Sequence, residues 1–448
     1  MSPTPHVLIL GAGFAGFHTA RALRRATDAG RIRLTIVEPE PYLTYKPLLS
    51  EVAGGHTQPR DTTVGLARPL SFADLVAGSV ESVDCESKTA VIRALDGTER
   101  AIGYDHVVFA LGAVTKTLPI TGLAEQAVGF ATLAEAVFLR NQVLDRIRFA
   151  ATTTDRALRD RALRFVFVGG GYTGVEAIAE LHELALRAHA TYPALASSPP
   201  QWFLIEASNR IAAELPKPLS EWTLALLRRR GIVVKLNTEM TSCADGRVTT
   251  DSGDSFASDT IVWAAGVVPN PALDHTNAPR GSKGHVQAND RLQVIDNDGT
   301  PVPGAWAIGD NAEVPDRDAQ NQPAFYPANA QHAQRQGRLA AENILRMLDG
   351  DEPLPYRHRS LGTLASFGGQ QGAAEVRGVS LHGVPAWLLA KAYHAVAIPD
   401  ASRRVRIAAN WAANALAARD LTSTSAARRP RIPFTMAFVS RSGEKTSR

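Results

Sequence analysis

Two glycine-rich turns, Gly11-Ala12-Gly13-Phe14-Ala15-Gly16 and Gly169-Gly170-Gly171-Tyr172-Thr173-Gly174, constrain the folding of this 448-residue chain more than any other feature. Each follows an apolar run, His6 to Leu10 and Arg164 to Val168, that reads as a buried parallel strand. Each also opens a helix-like stretch, Phe14 to Ala29 ended by Gly30, and Gly174 to Arg187. The spacing has a physical reason. The first glycine permits the tight turn, the second lets backbone amides approach a pyrophosphate, and the third lets helix pack on strand. The following strands, Leu34 to Val37 and Gln201 to Ile205, end at Glu38 and Glu206, where a carboxylate can accept hydrogen bonds from ribose hydroxyls. One such turn is weak evidence, because an ordinary tight turn imitates it. Two turns, each with strand, helix and terminal acid, predict two bound dinucleotides. Glu206 repels a 2′-phosphate, so NADH is expected over NADPH.

Composition sets the outer bounds. With 45% hydrophobic and 21% charged residues, the chain is ordinary for a globular protein able to bury two or more cores. Its amino terminus runs almost directly into the first strand and leaves no room for a cleaved signal, so cytoplasmic residence is expected. No apolar run reaches the length of a spanning helix. Cys85 and Cys243 stand alone, which argues against a dithiol relay and against a metal site; inert thiols are the simpler reading. Charge is uneven: from Ala401 to Arg448 there are ten Lys/Arg against two acids, which points to an anionic partner. Without a nucleic-acid reading module, a lipid surface fits that tail better.

Four further segments narrow the reading. Val107 to Gly112 and Ile261 to Gly266 are apolar strands ending at a glycine, where a nucleotide domain closes on itself, and Gly304-Ala305-Trp306-Ala307-Ile308-Gly309-Asp310 looks like the second fingerprint of flavoproteins with two dinucleotides. Together with Tyr45-Lys46-Pro47-Leu48-Leu49-Ser50-Glu51-Val52-Ala53, Pro59-Arg60, Thr173-Gly174-Val175-Glu176 and Ala330-Gln331-His332-Ala333-Gln334-Arg335-Gln336-Gly337, they make the chain resemble type II NADH dehydrogenases, the single-chain NADH:quinone oxidoreductases. The resemblance runs from about His6 to about Asp420.

It implies an α/β fold of two doubly wound Rossmann-like domains, one for FAD and one for NADH, plus a carboxyl-terminal extension with amphipathic helices. The expected divisions are 1–115 and 276–348 for FAD, 116–159 as a crossover linker, 160–275 for NADH, 349–420 for an acceptor and membrane-associating region, and 421–448 as a mobile tail. Cofactor contacts are expected from Gly11, Gly13, Phe14, Ala15, Gly16, Glu38, Lys46, Ala110, Gly112, Gly171, Tyr172, Thr173, Glu206, Gly266, Gly309, Asp310, Ala330 and Gln331. Asp310 would bind the ribityl chain.

Glu176, Gln331 and Arg335 are the candidate catalytic residues. Glu176 could steer the nicotinamide amide or relay a proton, or simply complement the helix dipole. The family usually has two glutamines one helical turn apart; here Gln331 is kept, Arg335 takes the second place and Gln336 follows, about 100° further round. Arg335 could stabilise an oxyanion or lie on a solvated face, and Gln331 could cap its helix, Ala330 to Leu348. His332 could shuttle protons or be structural, and Lys46 could aim at the flavin or lie on the surface.

Leu361 to Arg377 reads as small strands. The run Pro385 to Ile398 puts Trp387, Leu388, Ala392 and Val396 near one face, with Lys391 and His394 elsewhere, and a basic helix-like run follows from Arg403 to Arg419. Its apolar residues are largely alanine, so weak, salt-sensitive attachment at the cytoplasmic membrane face is expected, or packing on the body or on a second copy in a homodimer. The leading activity is hydride transfer from NADH through FAD and on to a quinone without proton pumping. A soluble reductase acting on a biosynthetic intermediate or an electron-carrier protein stays open, as does an NADH-responsive redox binding protein.

Overall fold

The computed structural model describes residues 3–319, 324–358 and 362–428. Contacts divide the chain into two compact units: Met1–Tyr45, Thr63–Lys116 and Gly266–Leu361 form the first; Lys46–Thr62, Thr117–Ala265 and Gly362–Arg448 form the second.

The first unit is built on a six-stranded sheet. Its spatial order is Gln293–Ile295, Pro301–Ala307, His106–Phe109, His6–Leu10, Arg33–Val37 and Asp74–Val76. All neighbours are parallel except the Gln293–Ile295 and Pro301–Ala307 pair. A parallel sheet is covered on both faces, which is why His6–Leu10 carries no polar alternation and is buried along its whole length. Helix Phe14–Asp28 packs on helix Ala330–Leu348, and the missing side chain of Gly337 makes this possible: a Cβ there would lie 2.4 Å from the Ala15 carbonyl oxygen.

The second unit repeats the scheme with a five-stranded, wholly parallel sheet: Ala127–Gly129, Thr260–Trp263, Arg164–Val168, Gln201–Ile205 and Ile232–Lys235. Residues 116–159, expected as a linker, contain the 20-residue helix Leu133–Thr152. It begins with a reciprocal capping box between Thr132 and Glu135 and buries Leu139, Val143 and Ile147 in the core of this unit. The Pro/Ser/Ala-rich stretch 192–200, which lengthens the connection to strand Gln201–Ile205, contains a short 3-10 turn, Pro193–Leu195, with Leu195 buried.

Strands Gly362–Ser366, Gly372–Val376 and Val379–His382 form an antiparallel sheet, followed by helices Val384–Ala397 and Ala401–Leu416. Here the expected faces are reordered. Lys391 turns inward, while Leu388 and Val396 are 55% and 69% exposed. Residues 422–428 are also held in place: Thr424 N–H donates to Asn141 Oδ1 at 3.0 Å, and Arg428 lies over the Phe138 ring. The rest of the expected tail, 429–448, lies outside the described residues. Among those described, no helix is long and apolar enough to cross a membrane.

Candidate functional site

The two glycine turns have nearly the same geometry. Gly11 has φ +97°, and a Cβ on it would meet the Ala110 carbonyl oxygen at 2.5 Å; Gly169 has φ +107°, with Ala264 O at 2.4 Å. Only glycine adopts such a turn against backbone without strain. A Cβ on Gly16 would lie 1.9 Å from Gly11 O, and one on Gly174 2.0 Å from Gly169 O, so the third glycine of each turn is a packing requirement.

Helices Phe14–Asp28 and Tyr172–His189 then start without a side-chain cap and without an acid in the first turn. Their first amides are left without intrahelical acceptors, a donor set suited to an anion. Around Gly13 there is open space, with nothing within 4 Å of a built Cβ. A pyrophosphate fits these features at the first turn; at the second, Glu214 Oε1 lies 3.5 Å from a Cβ built on Gly171.

The terminal acids are placed alike. Glu38 Oε2 accepts from Ala12 N at 2.6 Å, and its Oε1 accepts from Glu40 N. Glu206 Oε2 accepts from Gly170 N at 2.5 Å, and its Oε1 accepts from Ser208 N. Each carboxylate therefore ties the end of the second strand to the middle of the glycine turn. Burial raises the Glu38 carboxyl above its usual range, against the opposing effect of these amide donors.

Within the first unit, Ala110, Gly112, Gly309 and Asp310 gather where parallel strands end. Asn311, not anticipated from the sequence, is fully buried there; its Oδ1 accepts from Gly112 N at 3.0 Å and its Nδ2 donates to Phe109 O. Gln336 was also passed over. It is 3% exposed and accepts the Gly309 N–H at 2.7 Å, so it braces the loop that presents Asp310.

Arg335 bends back along its own helix to Gln331, with Nη1 3.1 Å from the backbone oxygen. The helix cap is Asn329, whose side chain accepts from His332 N, so Gln331 is not the cap. His332 is buried among the Tyr326, Tyr356 and His358 rings, with Nδ1 2.8 Å from Tyr356 Oη. Burial, with His358 and Arg335 nearby, pushes its pKa down to about 4, so it is neutral at physiological pH.

In the second unit, Tyr172, Thr173 and Glu176 open the nucleotide helix. Glu176 is half-buried, and its Oε1 accepts from Ser366 N at 2.8 Å. Desolvation pushes its carboxyl up to about 8, with Glu180 and Glu51 adding in the same direction. Lys46 is exposed and belongs to this unit.

The inward Lys391 is 2.6 Å from Glu51 Oε1 and 4.3 Å from the Trp411 ring centroid, while Trp411 Nε1 donates to Glu51 Oε2. Asn410 and Arg403 reach Asp61, and Asn414 donates to His56 O. Helix Ala401–Leu416 is therefore fastened to the body by its polar side. Arg419 is 5% exposed at its side chain and paired with Glu183, so the cations available to an outside anion are fewer than composition implies.

A family model for pyridine nucleotide-disulphide oxidoreductases matches residues 5–337. Among curated proteins, the chain is 27% identical to a demethylphylloquinone reductase of Synechocystis sp., covering 91% of this chain and 95% of that relative. It is likewise 27% identical to a type II NADH:quinone oxidoreductase of Mycobacterium tuberculosis, covering 90% of this chain and 86% of the relative. A solved structure of NDH2 from Plasmodium falciparum in complex with NADH superposes with a TM-score of 0.84 at 16% identity, covering 94% of this chain and all of that one.

Proposed function

The chain belongs to the pyridine nucleotide-disulphide oxidoreductase family, and from that premise we infer that it is an FAD-dependent oxidoreductase that takes hydride from NADH and passes two electrons to a quinone without pumping protons. The observation that carries this is the duplicated turn, with a packed third glycine and a carboxylate tied to the turn in each unit. FAD, when bound, supplies the two-electron chemistry.

The chain's own residues hold and select. The amides after Gly11 and Gly13 receive the FAD pyrophosphate, Glu38 the adenosine ribose, and Asp310, braced through Gln336, the ribityl chain. Gly171, Tyr172 and Thr173 receive the pyrophosphate of NADH and Glu206 its ribose. Glu176, its carboxyl pushed up to about 8 by burial, can steer the nicotinamide amide or relay a proton. Gln331 and Arg335 serve the acceptor as donors that do not titrate.

The family's disulphide chemistry has no counterpart here. The chain has two cysteines, both free and buried, and burial pushes the Cys85 thiol up to about 11. Electrons must leave by another acceptor. The relatives named as NADH:quinone oxidoreductases, together with Gln331 at its family position, favour a quinone. A soluble acceptor is the second reading, favoured by Arg335 standing where the family has a glutamine. Steady-state NADH oxidation with a short-chain quinone decides between them: turnover no faster than reoxidation by oxygen would remove the quinone.

Attachment to the cytoplasmic face of a membrane would be peripheral and weak. It would use the exposed Leu388, Val396, Val405 and Leu416 with Arg406 beside them. Sedimentation with anionic vesicles, reversed by salt, tests it. A homodimer would cover the same side chains and would show in analytical ultracentrifugation.

A further inference from the structure

Three potential metal ligands meet in the second unit although they are far apart in sequence. His56 follows the short helix Leu49–Gly54, where Gly55 at φ +79° turns the chain. Glu180 and Glu183 lie three residues apart on helix Tyr172–His189 and so share a face. One ligand atom from each of the three lies within 4.8 Å of the other two. His56 Nε2 and Glu180 Oε2 are 3.1 Å apart, close to the ~3.3 Å between two ligands on a tetrahedral zinc ion. Glycines leave the room: a Cβ on Gly54 would lie 2.8 Å from Glu180 Oε2, and one on Gly368 3.0 Å from Glu183 Oε2.

The cluster is poorly satisfied as it stands. Glu180 is 1% exposed, and its Oε2 is buried with no hydrogen-bond partner among the described residues. Such a carboxylate is costly unless a cation offsets it. The cation at hand is Arg419, whose Nη2 lies 2.9 Å from Glu183 Oε1 and 2.6 Å from His56 Nε2, while its Nη1 is buried with no hydrogen-bond partner among the described residues. His56 Nε2 therefore faces a group that only donates, Arg419, and one that only accepts, Glu180. No single protonation state satisfies both.

A divalent cation in place of the guanidinium removes the conflict. The lone pair of neutral His56 and both carboxylates then face one ion, and its two charges offset the two acids. The neighbouring arginines need not move: Arg187 donates to Glu183 from the surface, and Arg230 is held by the Phe367 and Gly368 carbonyl oxygens. His56 and Glu183 are 22% and 17% exposed at their side chains, which gives an ion a way in and a water the fourth position. One imidazole with two carboxylates suits zinc and its neighbours, whereas calcium and magnesium take all-oxygen sets.

We propose that His56, Glu180 and Glu183 bind one divalent cation of the zinc class, which enters by displacing the Arg419 guanidinium and so frees the segment that follows helix Ala401–Leu416 from this anchor. The site is independent of the acceptor's identity, so failure of the quinone reading leaves it standing.

The test is equilibrium dialysis of Zn2+ against the FAD-loaded, metal-free full chain, beside limited trypsin digestion read by mass spectrometry. The parent should bind one zinc. H56Q and E180Q should each bind it about tenfold or more weakly, and R419Q about tenfold or more tightly. Arg419 is 5% exposed at its side chain and therefore shielded from trypsin; zinc should speed cleavage after it about fivefold or more in the parent and leave H56Q unchanged. If E180Q does not fold, H56Q decides by the same two readouts. No zinc on the parent, or equal binding by parent and H56Q, overturns the site. R419Q that binds no more tightly than the parent, or cleavage after Arg419 that zinc does not change, overturns the displacement. Release of the zinc by excess Mg2+ overturns the assigned class of ion.

Discussion

Replacing Gly174 with alanine should disable the NADH site while sparing the flavin. A Cβ at this position lies 2.0 Å from Gly169 O and 3.4 Å from Ala264 Cβ, and ordinary contact begins near 3.4 Å. The obstacle is backbone, which no rotamer change can clear, so turn and helix must separate by about 1.4 Å. Overpacking of a tight site costs about 1–3 kcal/mol, and rigid backbone puts this case near the upper end. If the loss falls on the nucleotide-binding conformation, 3 kcal/mol weakens NADH binding roughly 100-fold. Gly16 makes the same contact with Gly11 O in the other unit, so G16A should instead lower FAD content. The assay is FAD occupancy by absorbance, followed by the NADH concentration dependence of flavin bleaching in an anaerobic stopped-flow. G174A that retains FAD and binds NADH with parental affinity would refute the packing argument.

Other outcomes follow from the same geometry. E206A should weaken NADH about tenfold or more and reduce discrimination against NADPH, measured as a Kd ratio, because Glu206 braces Gly170 and a carboxylate at the proposed ribose site would repel a 2′-phosphate. K391M strands the buried Glu51 and should cost about 3–5 kcal/mol by denaturant titration, with the K391M/E51Q pair recovering part of the loss. Glu176, raised in the folded state to about 8, contributes stability that is full below its unfolded value and lost as pH rises through about 8. E176Q should therefore flatten the fall in stability between about pH 4.5 and 8, an effect on the order of a few kcal/mol.

The nucleotide-binding halves were legible because their grammar is local. Strand, glycine turn, helix and terminal acid lie within a few dozen residues, and the contacts that enforce them, such as Gly16 against Gly11 and Glu38 against Ala12, are also local. The helix Ala330–Leu348 was readable end to end for the same reason. What escaped depends on residues far apart in sequence. Gln336 looked like a misplaced acceptor ligand, yet its partner is Gly309, across the sheet end. Lys391 was placed only off the apolar face, and the buried Glu51, 340 positions earlier, explains its direction. Arg419 was counted as surface charge, although Glu183 and His56 enclose it. The spacing of Glu176, Glu180 and Glu183 was visible in the sequence, but not that Glu180 in the middle is buried.

The most direct test of the account is a single turnover without oxygen: FAD-loaded protein bleached by one equivalent of NADH, then mixed with a water-soluble quinone while absorbance and proton uptake are followed together. Full recovery of the oxidised spectrum, at a rate sufficient for steady-state turnover and with one proton taken from solvent per quinol, is the expected result. Bleaching by NADH followed by no recovery beyond the quinone-free control would contradict it.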